Sequence, residues 1–325
     1  MSASGATSEQ LRTDGTLRHL ITLEGLPKRL IEELLERAQA LVRPLGARAA
    51  ASQVLAGATV ANLFTEPSTR TRVSFELAAK RLGAQVVNLE VQLSSRTKGE
   101  SMLDTVYTLE ALHVDAFVIR DAEVGVPGLV AAHVAPHVSV LSAGEAHVAH
   151  PTQGLLDALT ILQRKQRFAG LAVAIVGDIR HSRVARSAWH VLRTLGTSDV
   201  RLLAPPALMP AADEFAGCTR YGDLAAGLEG CDVVMMLRIQ KERMGEADLP
   251  DAAAYFNAWG LSPARLRLAR PDAIVMHPQP MNRGIEIASE VADGPQSVIR
   301  DQVRNGVAVR MAVLAEVLTA RGGGP

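Results

Sequence analysis

Ala58-Thr59-Val60-Ala61-Asn62-Leu63-Phe64-Thr65-Glu66-Pro67-Ser68-Thr69-Arg70-Thr71-Arg72 runs from an apolar stretch into a cluster of hydroxyls and guanidiniums. The first seven residues have the composition of a buried strand, and Pro67 ends it. Beyond, Val73, Phe75, Leu77, Ala78 and Leu82 recur at helical spacing until Gly83, a glycine suited to a C-terminal cap. A strand therefore hands over to a helix with Ser68 at the N-cap position. The free amides of the first turn and the positive end of the helix dipole then face any bound anion. Arg70 and Arg72 add planar forks that match phosphate oxygens. A plainer reading makes Ser68 only a cap and the arginines a solvated turn. Two cations at a helix N-terminus oppose the dipole, however, and an anion site accounts for them better.

The same alternation continues outward from this unit. A helix is expected over 26–42, with Pro27 in its first turn and Pro44 closing it. Strands are expected over 58–64, 85–91, 115–120 and 138–142, with helices at 101–112 and 126–135 and a polar loop through Gly99. Four strands separated by helices imply a parallel, doubly wound sheet. A helix over 153–168 leads to an apolar strand at 171–178 ending in a glycine turn, where the pattern begins afresh. Segments 183–195, 200–204, 224–228, 232–237 and 273–276 supply a second α/β unit. A last helix over 297–319 carries Val298, Val303, Val307, Met311, Leu314 and Leu318 as an apolar stripe. Gly177-Asp178-Ile179-Arg180-His181 opens like a dinucleotide site but lacks the second and third glycines of that fingerprint.

A chain of 325 residues exceeds the usual single core, so two domains are expected. Charged residues balance at 34 against 34, which points to a small ligand rather than nucleic acid or an acidic membrane. Cys218 and Cys231 fit neither a zinc site nor a disulfide framework and read as reduced thiols. Residues 1–16 read as a flexible arm without the apolar core of a signal peptide, and the last few residues as a frayed tail. No apolar run approaches the roughly 20 residues needed to span a bilayer. A cytoplasmic location is expected.

Ser68-Thr69-Arg70-Thr71-Arg72 resembles the carbamoyl phosphate signature of the aspartate and ornithine carbamoyltransferases, and His150-Pro151-Thr152-Gln153 resembles their second signature. With later matches the resemblance covers roughly 17–319. It implies an α/β fold of two doubly wound parallel-sheet domains joined by two crossing helices, the one after His150 and the last one. The first domain, 17–152 plus 300–325, would bind carbamoyl phosphate; the second, 153–299, would bind aspartate. Neither a cofactor nor a metal is implied.

Arg120 ends a strand, and the carboxyl ends of parallel strands are where ligands bind in open α/β sheets. Alone it also fits a rim arginine paired with Asp121. His147 and His150 invite a metal pair, but no Asp, Glu or Cys stands at a helpful spacing. The resemblance gives these residues tasks. Ser68, Thr69, Arg70 and Thr71 would hold the phosphate, and Arg120 would bond both phosphate and carbonyl oxygen. His150 would donate to the carbonyl oxygen and Gln153 accept from the carbamoyl amino group, as would the backbone at Gln279 and Pro280. Ser94 (or Ser95) and Lys98, four apart on a polar loop, would reach into a neighbouring subunit, so the site would be completed only in a homotrimer. Arg183, Arg238 and Gln240, with Lys98, would take the amino acid.

These parts suffice for the reaction. By the resemblance an amine would attack the carbamoyl carbon while Thr71, Arg120 and His150 would stabilise the oxyanion, and the leaving phosphate would carry off the amine proton. Guanidiniums at 183 and 238 suit a dicarboxylic substrate and repel the cationic side chain of ornithine. Ornithine enzymes carry a cysteine in an H-C-L-P turn, where this chain has His277-Pro278-Gln279-Pro280. Aspartate enzymes commonly place leucine, glycine or alanine at the position of Gln279. Aspartate carbamoyl transfer in pyrimidine synthesis is therefore the first reading and ornithine carbamoyl transfer the second. A catalytically silent paralogue would lack one of Arg70, Lys98, Arg120 or His150, and all are present. A larger assembly with a regulatory or dihydroorotase-like chain is left open.

Overall fold

The computed structural model describes residues 10–44, 46–48, 51–90, 101–240 and 251–319. It divides into two compact units, Met1–Leu156 with Arg304–Pro325, and Asp157–Val303. Both divisions fall inside helices.

The first unit runs α1 (Lys28–Leu41), β1 (Thr59–Phe64), α2 (Thr69–Arg81), β2 (Gln85–Glu90), α3 (Met102–Ala111), β3 (Ala116–Asp121), α4 (Val126–His133) and β4 (Ser139–Glu145), then enters α5 (Pro151–Lys165). Its strands pair in the order β2-β1-β3-β4, all parallel. The chain winds from β1 outward to β2, then returns to the other side of β1 for β3. The winding thus reverses between β1 and β3. β3 and β4 are buried along most of their length, which is why they read as continuous apolar runs rather than alternating ones. β4 extends to Glu145, three residues beyond the expected strand, because a register shift near the end of β3 sets Asp121 opposite Glu145.

The second unit contains β5 (Ala172–Val176), α6 (Arg183–Leu195), β6 (Asp199–Leu203), β7 (Thr219–Tyr221), α7 (Leu224–Leu228), β8 (Val233–Met236), α8 (Ala252–Trp259), α9 (Pro263–Leu266), β9 (Ile274–Met276) and α10 (Ser289–Ala292). α11 (Ile299–Thr319) begins here and ends in the first unit. The parallel order β7-β6-β5-β8-β9 reverses its winding between β5 and β8. Among the described residues no helix is long and apolar enough to cross a membrane.

Two expectations change. On α2 the buried face is Thr71, Phe75, Ala78, Ala79 and Leu82, whereas Val73 and Leu77 are 43% and 40% exposed. At 100° per residue Val73 points nearly opposite Phe75, so the apolar set named from sequence spans two faces. On α11, Val303 is 53% exposed and every residue from Ala308 to Leu314 is buried, so the helix is embedded there rather than striped. Of the arm expected over 1–16, residues 10–16 are described. Buried Gln10 accepts from the backbone N–H of Ile21 (2.6 Å) and Thr22 (3.0 Å), and Arg12 donates to the carbonyls of Leu17 and Val317.

The segment that follows adds itself to the sheet edge. Leu20 donates to Val140 and accepts from Ser142, a parallel bridge beside β4. His19 is buried next to it, and its Nδ1 accepts from the Val140 N–H at 2.9 Å. Burial, assisted by Arg18 and Arg12, lowers its pKa from 6.5 to about 3. The neutral ring is thus favoured in the folded state. Its contribution is complete above the unfolded value and is lost as pH falls from about 6.5 toward 3, roughly 3 kcal/mol by pH 4. His19→Asn, which keeps an acceptor but does not titrate, is expected to show a shallower fall in thermal midpoint between pH 6.5 and 4 than the parent chain. Parallel falls would contradict this.

Candidate active site

The winding reverses between β1 and β3 and between β5 and β8, and the carboxyl edge at such a reversal is the usual ligand position in open α/β sheets. Ser68, Arg238 and Gln240 stand on loops that leave these strands, Thr69, Arg70, Thr71, Arg120 and Arg183 on the helix starts and strand end beside them, and His150, Gln153, Gln279 and Pro280 after β4 and β9. In the first unit, residues 65–68 leave β1 and enter α2. Ser68 is the N-cap residue in an extended conformation (φ −158°), its side chain makes no capping bond, and the first turn holds no acid. Thr69 and Arg70 are exposed and Thr71 is buried. The first turn thus sets no acid of its own against the positive end of the helix dipole.

Arg120, the partner of Phe64 in the β1–β3 register, lies across the reversal. Its carbonyl accepts from the N–H (3.0 Å) and Oγ1 (3.2 Å) of Thr65, which fastens the loop after β1 to β3. Its guanidinium donates to the carbonyl of Ala143 (3.3 Å) and pairs with Glu66 at 3.0 Å, with 13% and 22% of the two side chains exposed. The sequence offered Asp121 as a partner; the ion pair goes to Glu66, on the cradle loop itself. That loop's own carboxylate thus holds the Arg120 guanidinium at the segment that enters α2.

His150 and Gln153 follow β4 and open α5. Both are buried, and the His150 carbonyl accepts from Gln153 (2.9 Å) and Gly154 (3.2 Å). The preceding turn is tight: Glu145 donates to the Ala149 carbonyl, and Ala146 takes a left-handed φ of 40°. The buried Glu145 carboxyl accepts from the Gly125 N–H; burial raises its pKa, Asp121 adds to that, and the Gly125 bond opposes it. Among the described residues no three His, Cys, Asp or Glu side chains form a group able to hold a metal. Ser94, Ser95 and Lys98 lie outside the described residues.

The loops after β5 and β8 of the second unit meet on a buried carboxylate. Asp178 follows β5, and its Oδ1 meets the N–H (3.2 Å) and Nδ1 (2.8 Å) of His181. Its Oδ2 accepts from the N–H of Gln240 on the loop after β8 (3.2 Å), and the Gln240 side-chain amide donates to the His181 carbonyl at 3.1 Å. One carboxylate thereby ties together the two loops that carry Arg183, Arg238 and Gln240. Arg183 is buried at the first position of α6, after Ser182, whose hydroxyl accepts from Ala185. Arg238 is half-buried. Gln279 and Pro280 lie on the loop after β9, with Gln279 at φ 55°.

Sequence reasoning passed over Glu66, Asp178 and His181. Asp178 was seen only as part of a failed dinucleotide turn. The criterion applied to Arg120, a charge at the carboxyl end of a strand, identifies it equally well.

Two family models match the chain one after the other. Residues 18–163 match the family model described as aspartate/ornithine carbamoyltransferase, carbamoyl-P binding domain, and residues 169–317 match that of the Asp/Orn binding domain. Among solved structures the chain is similar to aspartate transcarbamoylase from Trypanosoma cruzi in complex with N-(phosphonacetyl)-L-aspartic acid: 34% identity, 93% of this chain and 96% of that one, TM-score 0.83. The same enzyme with carbamoyl phosphate gives 33% identity, 93% and 96% coverage, and a TM-score of 0.82. Ornithine carbamoyltransferase from Pyrococcus furiosus is also similar, at 29% identity, 94% and 98% coverage, and a TM-score of 0.82.

Gly177 makes the approach of β5 and β8 feasible. It has φ 120°, and a Cβ there would lie 2.9 Å from the Leu237 carbonyl oxygen. Gly177→Ala is expected to lower stability by roughly 2 kcal/mol or more and to weaken amino-acid binding, although no polar contact is removed. An unchanged melting temperature would show that the two loops are not held this closely.

Proposed function

The chain belongs to the aspartate/ornithine carbamoyltransferase family, and from that premise we propose that it transfers the carbamoyl group of carbamoyl phosphate to L-aspartate, giving N-carbamoyl-L-aspartate and phosphate. The observation that carries the choice of aspartate is the pair Arg183 and Arg238, with Gln240, on loops joined by Asp178. Two guanidiniums are suited to two carboxylates and oppose a second ammonium. The turn His277-Pro278-Gln279-Pro280 also lacks the cysteine that marks ornithine enzymes.

Ser68, Thr69, Arg70 and Thr71 receive the phosphate at the start of α2. Glu66 yields Arg120 to it, an exchange of one anion for another at the same guanidinium. Thr71, Arg120 and His150 donate to the carbonyl oxygen as it gains charge under attack by the amine, and fixed donors aimed at developing charge are commonly the largest catalytic contribution. Gln153 and the backbone at Gln279 and Pro280 accept from the carbamoyl amino group and orient it for attack. The departing phosphate takes the amine proton, so no side chain serves as general base.

The proposal extends to a cytoplasmic homotrimer in pyrimidine biosynthesis, with Ser94 and Lys98 entering the neighbouring subunit's site. Val73 and Leu77, one turn apart on α2, and Val87 on the edge strand β2 present exposed apolar surface of the kind a neighbouring subunit covers.

Purified chain supplied with carbamoyl phosphate is expected to carbamoylate L-aspartate and not L-ornithine; the reverse preference would overturn the assignment. Arg70→Ala should lower kcat/KM by roughly a hundredfold or more if it clamps the phosphate. Mixed trimers of Arg70→Ala and Lys98→Ala chains should regain activity that neither has alone. If mixed trimers form and stay inactive, Lys98 acts within its own subunit.

A further inference from the structure

The loop after β9 is held by buried side chains to which the reaction above gives no task. The N–H of His277 donates to Gln302 Oε1 at 2.9 Å, and Gln302 Nε2 donates to Asp157 Oδ1 at 2.8 Å. The imidazole is fully buried and used at both nitrogens. Its Nδ1 accepts from the N–H of Gln279 at 2.9 Å, and its Nε2 faces Glu286 Oε1 at 3.2 Å. The same carboxylate oxygen accepts from the N–H of Asn282.

A backbone N–H can only donate, so Nδ1 carries no proton and Nε2 carries the one that Glu286 accepts. Protonation of Nδ1 would set two N–H groups against each other. Gln279 sits at φ 55°, a region unfavourable to residues other than glycine. Its N–H bond to the ring offsets that cost. We propose that His277, as the neutral Nε2–H tautomer, is a positioning residue that sets the backbone of Gln279 and Pro280 for the carbamoyl group. This rests on the reading of those two residues as carbamoyl ligands. Glu286 acts as an acceptor for the ring rather than as the partner of an imidazolium.

The full-length chain with 15N-labelled histidine tests the tautomer directly, with His277→Asn identifying the resonances. A deprotonated Nδ1 and protonated Nε2 are expected; an imidazolium or an Nδ1–H ring would overturn the proposal whatever the substrate. In the kinetic arm, His277→Asn keeps an acceptor near Nδ1, His277→Gln moves its amide toward Glu286, and Glu286→Gln removes charge but not the acceptor. His277→Gln should raise KM for carbamoyl phosphate about tenfold or more, as expected for a buried N–H left without its acceptor, with KM for aspartate changed less than about twofold. His277→Asn and Glu286→Gln should stay within about threefold of the parent. Equal damage from the two His277 variants, both KM values rising together, or a Glu286→Gln defect as large as that of His277→Gln would overturn the positioning role. A parent chain silent with both amines would overturn the proposed function and the carbamoyl role with it, leaving the tautomer to be judged by its spectrum.

Discussion

Parallel pairing of β1 with β3 and of β5 with β8 is the constraint on which the rest depends. A parallel neighbour cannot be reached by a tight turn, so the chain must leave each strand through a loop and a helix and return. Where the winding reverses, two such loops depart in opposite directions and leave polar backbone and helix ends uncovered. Each unit fills that gap with charge. The first places a helix start free of acids next to Arg120. The second places two arginine-bearing loops around a buried carboxylate.

In each unit a carboxylate fastens the segments at the winding reversal. Glu66 pairs with Arg120, and Asp178 spends its oxygens on His181 and Gln240. The difference is in exposure. Glu66 remains partly open and can give way to a ligand, whereas Asp178 is wholly buried and bonded to two backbone N–H groups, so it serves as a joint rather than a competitor. His277 repeats the second pattern on the loop after β9, where a ring with a defined proton holds a left-handed residue.

Much of this was legible in the sequence. The strand–helix alternation gave both α/β units because buried parallel strands are short apolar runs that differ plainly from their helices. Ser68 was placed correctly at the start of α2 because proline, hydroxyl and helical period agree there. What escaped had physical reasons. Val73 and Leu77 are apolar for a face that the core does not use, and composition alone does not separate that face from the buried one. β7 and the helices α9 and α10 are too short to express a period. Besides near neighbours, Asp178 holds Gln240, 62 residues away, and His277 faces Glu286, nine away, while Glu66 pairs with Arg120, 54 away; only the folded chain assembles these contacts.

The proposed transfer depends on the anion-facing start of α2 and on the guanidiniums of the second unit. N-(phosphonacetyl)-L-aspartic acid carries a phosphonate and two carboxylates, and calorimetric titration of this compound into the parent, Arg70→Ala and Arg238→Ala chains tests the proposal most directly. Binding to the parent, with affinity lost in both variants, is the expected result. Parent-like affinity in either variant would contradict it.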